Sequence, residues 1–272
     1  CGTMGQPSRA PLYERDKTWP PAGLPPAASA FSAVAVDNIA KEVHVIQRGP
    51  HMPPMLVLST ETGRLIRTYG NRSTITFANG TWGSHGLSIR FPTDGKEPQL
   101  WVFDFFAGKI RVFSTQGELL STVGSTQGSS TAPLRFGNVA DGAFNPSGGV
   151  AVVADGDGGV NNRVVALDAT QADLDAPAAL LWVAGNAPPP ATKKVGDPGF
   201  SGPHSVAIHA RSGTALVADR GNGRLVLLEA ATGKLRGEWR CWGPQSGPGP
   251  GAPPPLGGVP YGVRVLSGGA GG

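Results

Sequence analysis

Short apolar runs recur along the chain, and from Phe31 onward they come in sets of four. The segments SAVAVD, HGLSIR, ADGAFN, HSVAIH and YGVRVL begin at Ser32, His85, Ala140, His204 and Tyr261, in steps of 53, 55, 64 and 57 residues. Behind each of the first four comes a second apolar run: VHVIQR, LWVFD, VAVVAD and ALVAD. A third follows in MLVLS, IRVFS, RVVALD and RLVLLEA, and a less regular fourth in LIRTYG, LLSTVG, LLWVAG and LRGEW. The turns TETGR, TQGE, ATQADLDAP and ATGK separate the third run from the fourth. Such runs are strands, and four strands per repeat with Gly, Asp and Asn turns describe the blades of a β-propeller. A sandwich has no reason to repeat one four-strand unit with one turn, and the 3.6-residue period of helices is missing. The predicted fold is all-β.

The step is longer than the ~40–50 residues of common blade families. Gly- and Pro-rich stretches such as 125–135 and 185–203 are therefore expected to bulge from the ring. The pattern supplies about four complete blades and the first strand of a fifth, YGVRVL, before the chain reaches SGGAGG. A propeller closes on itself to remove its strand edges. The expectation is that the polypeptide continues past Gly272, or that another element supplies the missing part. Residues 1–30 are Pro-rich and aperiodic and read as an extended arm, while 31–272 form the propeller, incomplete at its C-terminal end.

Composition changes this picture little. Gly (41) and Pro (26) are abundant for 272 residues, but six Trp, ten Phe and 39% apolar residues give material for a core. Charged residues are only 15% and the formal net charge is +4, without a Lys/Arg cluster, so no nucleic-acid surface is indicated. No apolar run approaches the ~18–20 residues that cross a bilayer, which excludes a membrane span within this chain. The two cysteines, Cys1 and Cys241, either pair in a disulfide suited to a secretory compartment or remain free thiols.

The first strand of a propeller blade lines the central channel, so Ser32, His85, Ala140, His204 and Tyr261 are expected to face one another there. Two of the five histidines thus share a slot in blades two and four. Each is open to two readings: a hydrogen bond within the channel, or a zinc ligand in a half-site completed by another group and water. Arg48 and Arg220 each follow a second strand and are expected at the same channel mouth. Asp104, Asp155 and Asp219 end equivalent second strands and read as structural acceptors for the turn that follows each. His44 and His51 read as surface residues beside the Arg48 loop, and His209 as pointing away from the channel. No nucleophile elbow supports a hydrolase triad, and GDGGV joins strands rather than opening a phosphate-binding helix.

The segments HGLSIR…LWVFD, VADGDGGVNNRVVALD, GPHSVAI and LVADRGNGRLVLLEAATGKLRGEW resemble the NHL-repeat propeller of peptidyl-α-hydroxyglycine α-amidating lyases (peptidylamidoglycolate lyases). VIQRGPH is similar to that family's Arg-Gly-x-His motif, and the resemblance runs from about Ser32 to Trp239. It implies an NHL-type, six-bladed β-propeller of four-stranded blades. It implies His85 and His204 as zinc ligands, Arg48 and Arg220 as substrate-contacting arginines, and a calcium ion held by the backbone carbonyls of Val34 and Leu87. The implied reaction is zinc-assisted cleavage of a peptide substrate to an amidated peptide and glyoxylate, in the secretory pathway or outside the cell.

Two departures from the family stand in the sequence. Its catalytic Tyr follows an Asp-Gly of the third blade, where this chain has Asp155-Gly156-Asp157, so Asp157 takes the base's place. The family's third zinc His belongs to a sixth blade, for which this chain has no segment. The competing expectation is therefore a non-catalytic NHL propeller that binds a protein partner or glycan in an extracellular or ciliary assembly.

Overall fold

Four sheets follow one another along the chain, each built on four antiparallel strands that lie side by side in sequence order as one blade. Blade 1 comprises Phe31–Asp37, Glu42–Gln47, Met55–Ser59 and Leu65–Tyr69; blade 2 comprises Ser84–Arg90, Gln99–Asp104, Lys109–Ser114 and Leu119–Val123. Blade 3 comprises Val139–Phe144, Val150–Asp155, Arg163–Asp168 and Leu180–Gly185; blade 4 comprises Pro203–His209, Thr214–Asp219, Arg224–Glu229 and Leu235–Arg240. The structure is a computed structural model that describes residues 18–20, 24–125, 128, 130–131, 134–158, 161–186, 194–240 and 260–265. The chain is an all-β propeller, with the strands where the recurring apolar runs place them. Among the described residues no helix is long and apolar enough to cross a membrane.

The second and third strands are nearly unbroken apolar runs because both faces of a blade are covered. In Val150–Asp155, Ala151 and Val153 pack toward blade 2 with Trp101, Phe103 and Val112. The intervening Val152 and Ala154 pack toward blade 4 with Trp182, Val217 and Val226. Ile46, Met55 and Val57 join Trp82, Leu87 and Val102 between blades 1 and 2 in the same way. Each fully buried side chain of this size stabilises the fold by about 1.5–3 kcal/mol. The innermost strands of blades 1 and 2, 2 and 3, and 3 and 4 lie against one another around the channel.

Blades 1 and 4 do not adjoin in this way among the described residues. Their outward sides leave Val34, Val36, Leu235 and Trp239 exposed. The far face of blade 1, with Val43, Val45, Leu56 and Leu58, is partly covered by Trp19, Leu24 and Ala28 of the N-terminal arm. Trp19 Nε1 also donates to the Thr60 carbonyl at 3.1 Å. Pro260–Val265 runs beside the first strand of blade 4, where a fifth blade would begin, without forming a strand. Cys1 and Cys241 lie outside the described residues.

The aspartates that end the second strands tie each blade together. Asp104, Asp155 and Asp219 accept from the backbone N–H of Thr76 (3.0 Å), Gly137 (2.8 Å) and Ser201 (2.8 Å) in the connection entering their own blade. Each also pairs with an arginine of the third strand: Arg111 at 3.3 Å, Arg163 at 2.9 Å and Arg224 at 2.7 Å. Blade 1 does the same job with Gln47. Its Oε1 accepts from Ser29 N–H at 3.3 Å while its Nε2 donates to the Gly49, Met52 and Pro53 carbonyls.

Two local readings of the sequence need correction. His44 is fully buried rather than on the surface, because its position on the second strand faces blade 2, beside Glu42 at 3.5 Å. Burial lowers its pKa to about 4, so the imidazole is neutral. Blade 3 carries a fifth strand: within the 185–203 stretch, Lys194–Gly196 returns and pairs in parallel with Leu180–Gly185, covering an edge that would otherwise stand open.

Candidate metal-binding channel mouth

The site begins with a β-bulge repeated in every blade. The first strand slips by one residue against the second between Phe31 and Ala33, between Ser84 and Leu87, between Val139 and Asp141, and between Pro203 and Ser205. A bulge leaves an extra residue outside the ladder and re-aims its side chain. The residues set free are Ser32, His85 with Gly86, Ala140 and His204, those at the start of the first apolar runs. Gly86 is required by packing: a Cβ there would lie 2.3 Å from the Ala140 carbonyl oxygen and 2.9 Å from Asp141 Cα. The missing side chain lets blade 3 approach blade 2 closely enough for their bulges to meet.

His85 and His204 accordingly converge, with ring centres 5.0 Å apart at an interplanar angle of 75°. His85 Nδ1 lies 3.0 Å from the Ala140 carbonyl, and His204 Nδ1 lies 2.6 Å from the Tyr261 carbonyl. A carbonyl only accepts, so each Nδ1 carries the hydrogen and each Nε2 is left facing the opening. Burial first, and the neighbouring His204 second, lower the pKa of His85 below the usual imidazole range.

The turns after the second strands supply the remaining groups. Asp157 extends from the turn of blade 3, anchored by its N–H to the Asn138 carbonyl at 3.2 Å. Its Oδ2 stands 3.5 Å from His85 Nε2 and 3.7 Å from His204 Nε2. Its Oδ1 accepts from Arg220 at 2.6 Å, across the boundary between blades 3 and 4. His85, Asp157 and His204 form one group whose ligand atoms all lie within 4.8 Å of one another.

Arg220 and Arg48 both stand at this mouth, in equivalent turns. The Arg220 guanidinium lies 5.2 Å from the Tyr261 ring centre. Arg48 Nε donates to the Trp82 carbonyl at 2.9 Å, and its guanidinium lies 5.7 Å from the ring centre of Phe106. Burial lowers the Arg48 pKa, opposed by the charge of Asp157. Phe105, also in a turn after a second strand, stacks on His85 at 5.7 Å. Sequence reading passed over Phe105, Phe106 and the proximity of Asp157 to the imidazoles. The available signal was their position, since the residues following each second strand occupy equivalent places around the mouth. Below it, a cavity of about 100 Å³ runs along the channel between the bulges, lined also by Asp141, Ser205 and Arg264.

Val34 and Leu87 lie elsewhere. Both sit in the first-strand ladders, opposite Val45 and Val102.

No protein-family model matches the chain. It is 31% identical over 243 residues to NHL repeat-containing protein 3 of Homo sapiens, covering 87% of this chain and 62% of that protein. To NHL repeat-containing protein 3 of Mus musculus it is 32% identical over 244 residues, covering 88% and 62%. The chain thus spans 62% of the length of these relatives. Among solved structures it is similar to Kuenenia stuttgartiensis hydrazine synthase, with a TM-score of 0.53, 12% identity, and coverage of 78% of this chain and 49% of that one. A structure of a nidogen/laminin complex gives a TM-score of 0.52 at 12% identity, covering 79% and 65%. At such identities the structural likeness speaks for the fold alone. The chain is a β-propeller of four-stranded blades that is similar in sequence to NHL repeat-containing protein 3.

Proposed function

We propose that this chain is a non-catalytic NHL-repeat propeller that binds a protein partner at the channel mouth, in the secretory pathway or outside the cell. One observation carries the reading. Asp157 stands where the lyase resemblance implies a phenol, and its carboxylate holds Arg220 at 2.6 Å while facing both imidazoles. A substrate carboxylate directed at Arg220 would first have to displace this internal partner, and a carboxylate is a far weaker base than a phenolate. The similar proteins are, moreover, named for the repeat and not for a reaction. The rim is suited to recognition: Arg48, Arg220, Phe105, Phe106 and Tyr261 combine cationic and aromatic groups of the kind that anchor protein interfaces.

A lyase of the amidating type is the second reading, favoured by the convergence of His85 and His204 at 5.0 Å. If a zinc ion is bound, it acidifies a substrate hydroxyl. The chain's own contribution would then be Arg48 orienting a carboxylate and Asp157 accepting a proton. Glyoxylate release from an α-hydroxyglycine-extended peptide, measured with and without Zn²⁺, separates the two. The binding-module reading expects release at the uncatalysed rate. Zinc-dependent release that His204→Ala abolishes would overturn it.

A further inference from the structure

We propose that Asn79 is an N-glycosylation site, and that its glycan stands beside Arg48 on the rim of the channel mouth. The inference rests on the part of the proposed function that places the chain in the secretory pathway, and adds a covalent modification to it.

Of the nine asparagines, three stand two residues ahead of Ser or Thr: Asn71-Arg72-Ser73, Asn79-Gly80-Thr81 and Asn145-Pro146-Ser147. The acceptor pattern is Asn-x-Ser/Thr with x other than Pro, so Pro146 excludes the last. The two that remain fall in one connection, the stretch leading from blade 1 into blade 2. A bulky glycan needs a surface position, and Asn71 and Asn79 are both exposed. Asn71 is engaged in its own loop, where its Oδ1 accepts from the Ser73 N–H at 2.9 Å and from the Ser73 hydroxyl.

Asn79 is held out instead. Phe77–Ala78 and Thr81–Trp82 pair as a short hairpin, with Asn79 and Gly80 at its tip. Their φ values are 51° and 75°. Two positive φ values in a two-residue turn belong to the type I′ pattern, for which Asn-Gly is a preferred sequence. Nothing lies within 4 Å of where a Cβ on Gly80 would stand, so the tip is in the open. The foot of the hairpin is fixed. Trp82 Nε1 donates to the Met52 carbonyl at 3.0 Å, and the Phe77 ring centre lies 4.8 Å from that of Trp82. The Trp82 N–H and the Thr81 hydroxyl both donate to the Arg48 carbonyl, at 3.0 and 2.8 Å. The hairpin thus displays the Asn79 amide in solvent on a foot that grips Arg48, and a glycan there covers the blade 1–blade 2 side of the mouth.

The transfer involves no redox change. The donor is an oligosaccharide carried on a polyprenyl diphosphate, with a transferase of the secretory lumen as catalyst. A bond forms between Asn79 Nδ2 and the anomeric carbon of the first sugar. The bond from that carbon to the diphosphate oxygen breaks, its electron pair leaves with the diphosphate, and the amide gives up one of its two protons.

The test sends the full chain through the secretory route of cultured mammalian cells behind a leader that is cleaved off. N-glycosidase releases Asn-linked sugars and hydrolyses the linking amide, so digestion in heavy-oxygen water labels the acceptor in a peptide map. The expected result is a gain in gel mobility on digestion and a label at position 79. Asn79→Asp keeps the side chain's shape and tolerates the positive φ much as Asn does, and should remove one glycan from the mass of the secreted protein. Thr81→Ser keeps both the acceptor pattern and a hydroxyl for Arg48, and should keep that glycan. A label confined to Asn71, or no label in the secreted wild type, would overturn the site. So would an Asn79→Asp protein that carries as much sugar as the wild type. The leader supplies the compartment, so each of these failures counts against Asn79 and not against the secretory placement. The glyoxylate assay decides the binding-module reading separately.

Discussion

His85 and His204 stand with their ring centres 5.0 Å apart because each is released from its ladder by a bulge at the same place in its blade. Ser32 and Ala140 are released in the same way in blades 1 and 3. One backbone irregularity, repeated, thus builds a ring of side chains at the channel mouth. The identity of the freed residue decides whether that position carries chemistry.

The close approach of the bulges depends on Gly86. Gly86→Ala would place a Cβ 2.3 Å from the Ala140 carbonyl oxygen, a backbone atom that cannot swing aside. The expected cost is about 3 kcal/mol or more, at the upper end for overpacking. Urea denaturation of wild type and variant measures it. A loss under 1 kcal/mol would mean that blades 2 and 3 can separate without consequence.

Burial of His44 gives the fold an acid sensitivity. Its folded pKa, about 4, lies below the ordinary 6.5, so protonation favours the unfolded chain. The stability concerned is present in full above pH 6.5 and is lost as pH falls from there toward 4. The loss amounts to at most about 1.4 kcal/mol per pH unit. Asp37, Glu42 and Arg67 act on the same imidazole, Glu42 and Asp37 favouring its charge and Arg67 opposing it. Denaturation midpoints at pH 7.5, 6 and 5 should fall for wild type and flatten for His44→Leu. Parallel curves would assign the acid loss to other groups.

Asp155 and Arg163 are both fully buried and pair at 2.9 Å. Removing only the carboxylate, as in Asp155→Ala, leaves an uncompensated buried guanidinium and should cost about 3–5 kcal/mol. Replacing both, as in Asp155→Leu with Arg163→Met, should be less damaging than the sum of the single changes. A double-mutant cycle by thermal denaturation should give a coupling above ~1.5 kcal/mol. Additive effects would contradict the pairing.

Gln47 should not tolerate conversion to the aspartate-like chemistry of the other blades. Gln47→Glu keeps the acceptor for Ser29 but turns three carbonyls, of Gly49, Met52 and Pro53, toward a buried carboxylate. Unsatisfied buried groups cost about 1–3 kcal/mol each, so a loss of ~3 kcal/mol or more is expected. Chemical denaturation of the variant at pH 7.5 measures it, and a loss within 0.5 kcal/mol would show that this amide does not hold blade 1 together.

The sequence by itself determined the blades. Short apolar strand runs, the turns between them and the aspartates closing the second strands are local properties, legible in VAVVAD or LVADRGNGR without a partner in view. It also placed His85 and His204 in one slot, since equivalent positions in a repeat occupy equivalent positions in space. Which face of a strand meets which neighbour was not legible. A blade is covered on both sides, so apolar residues fill both faces and a lone His such as His44 gives no sign of its burial. Nor could Gln47 be recognised as the counterpart of Asp104, Asp155 and Asp219, because an amide and a carboxylate reach similar donors by different patterns. The meeting of Asp157 with two imidazoles and Arg220 was decided only by tertiary structure. Those groups come from three blades, and their 2.6–3.7 Å separations arise from how closely the blades pack around the channel, a distance that no strand carries in its own pattern.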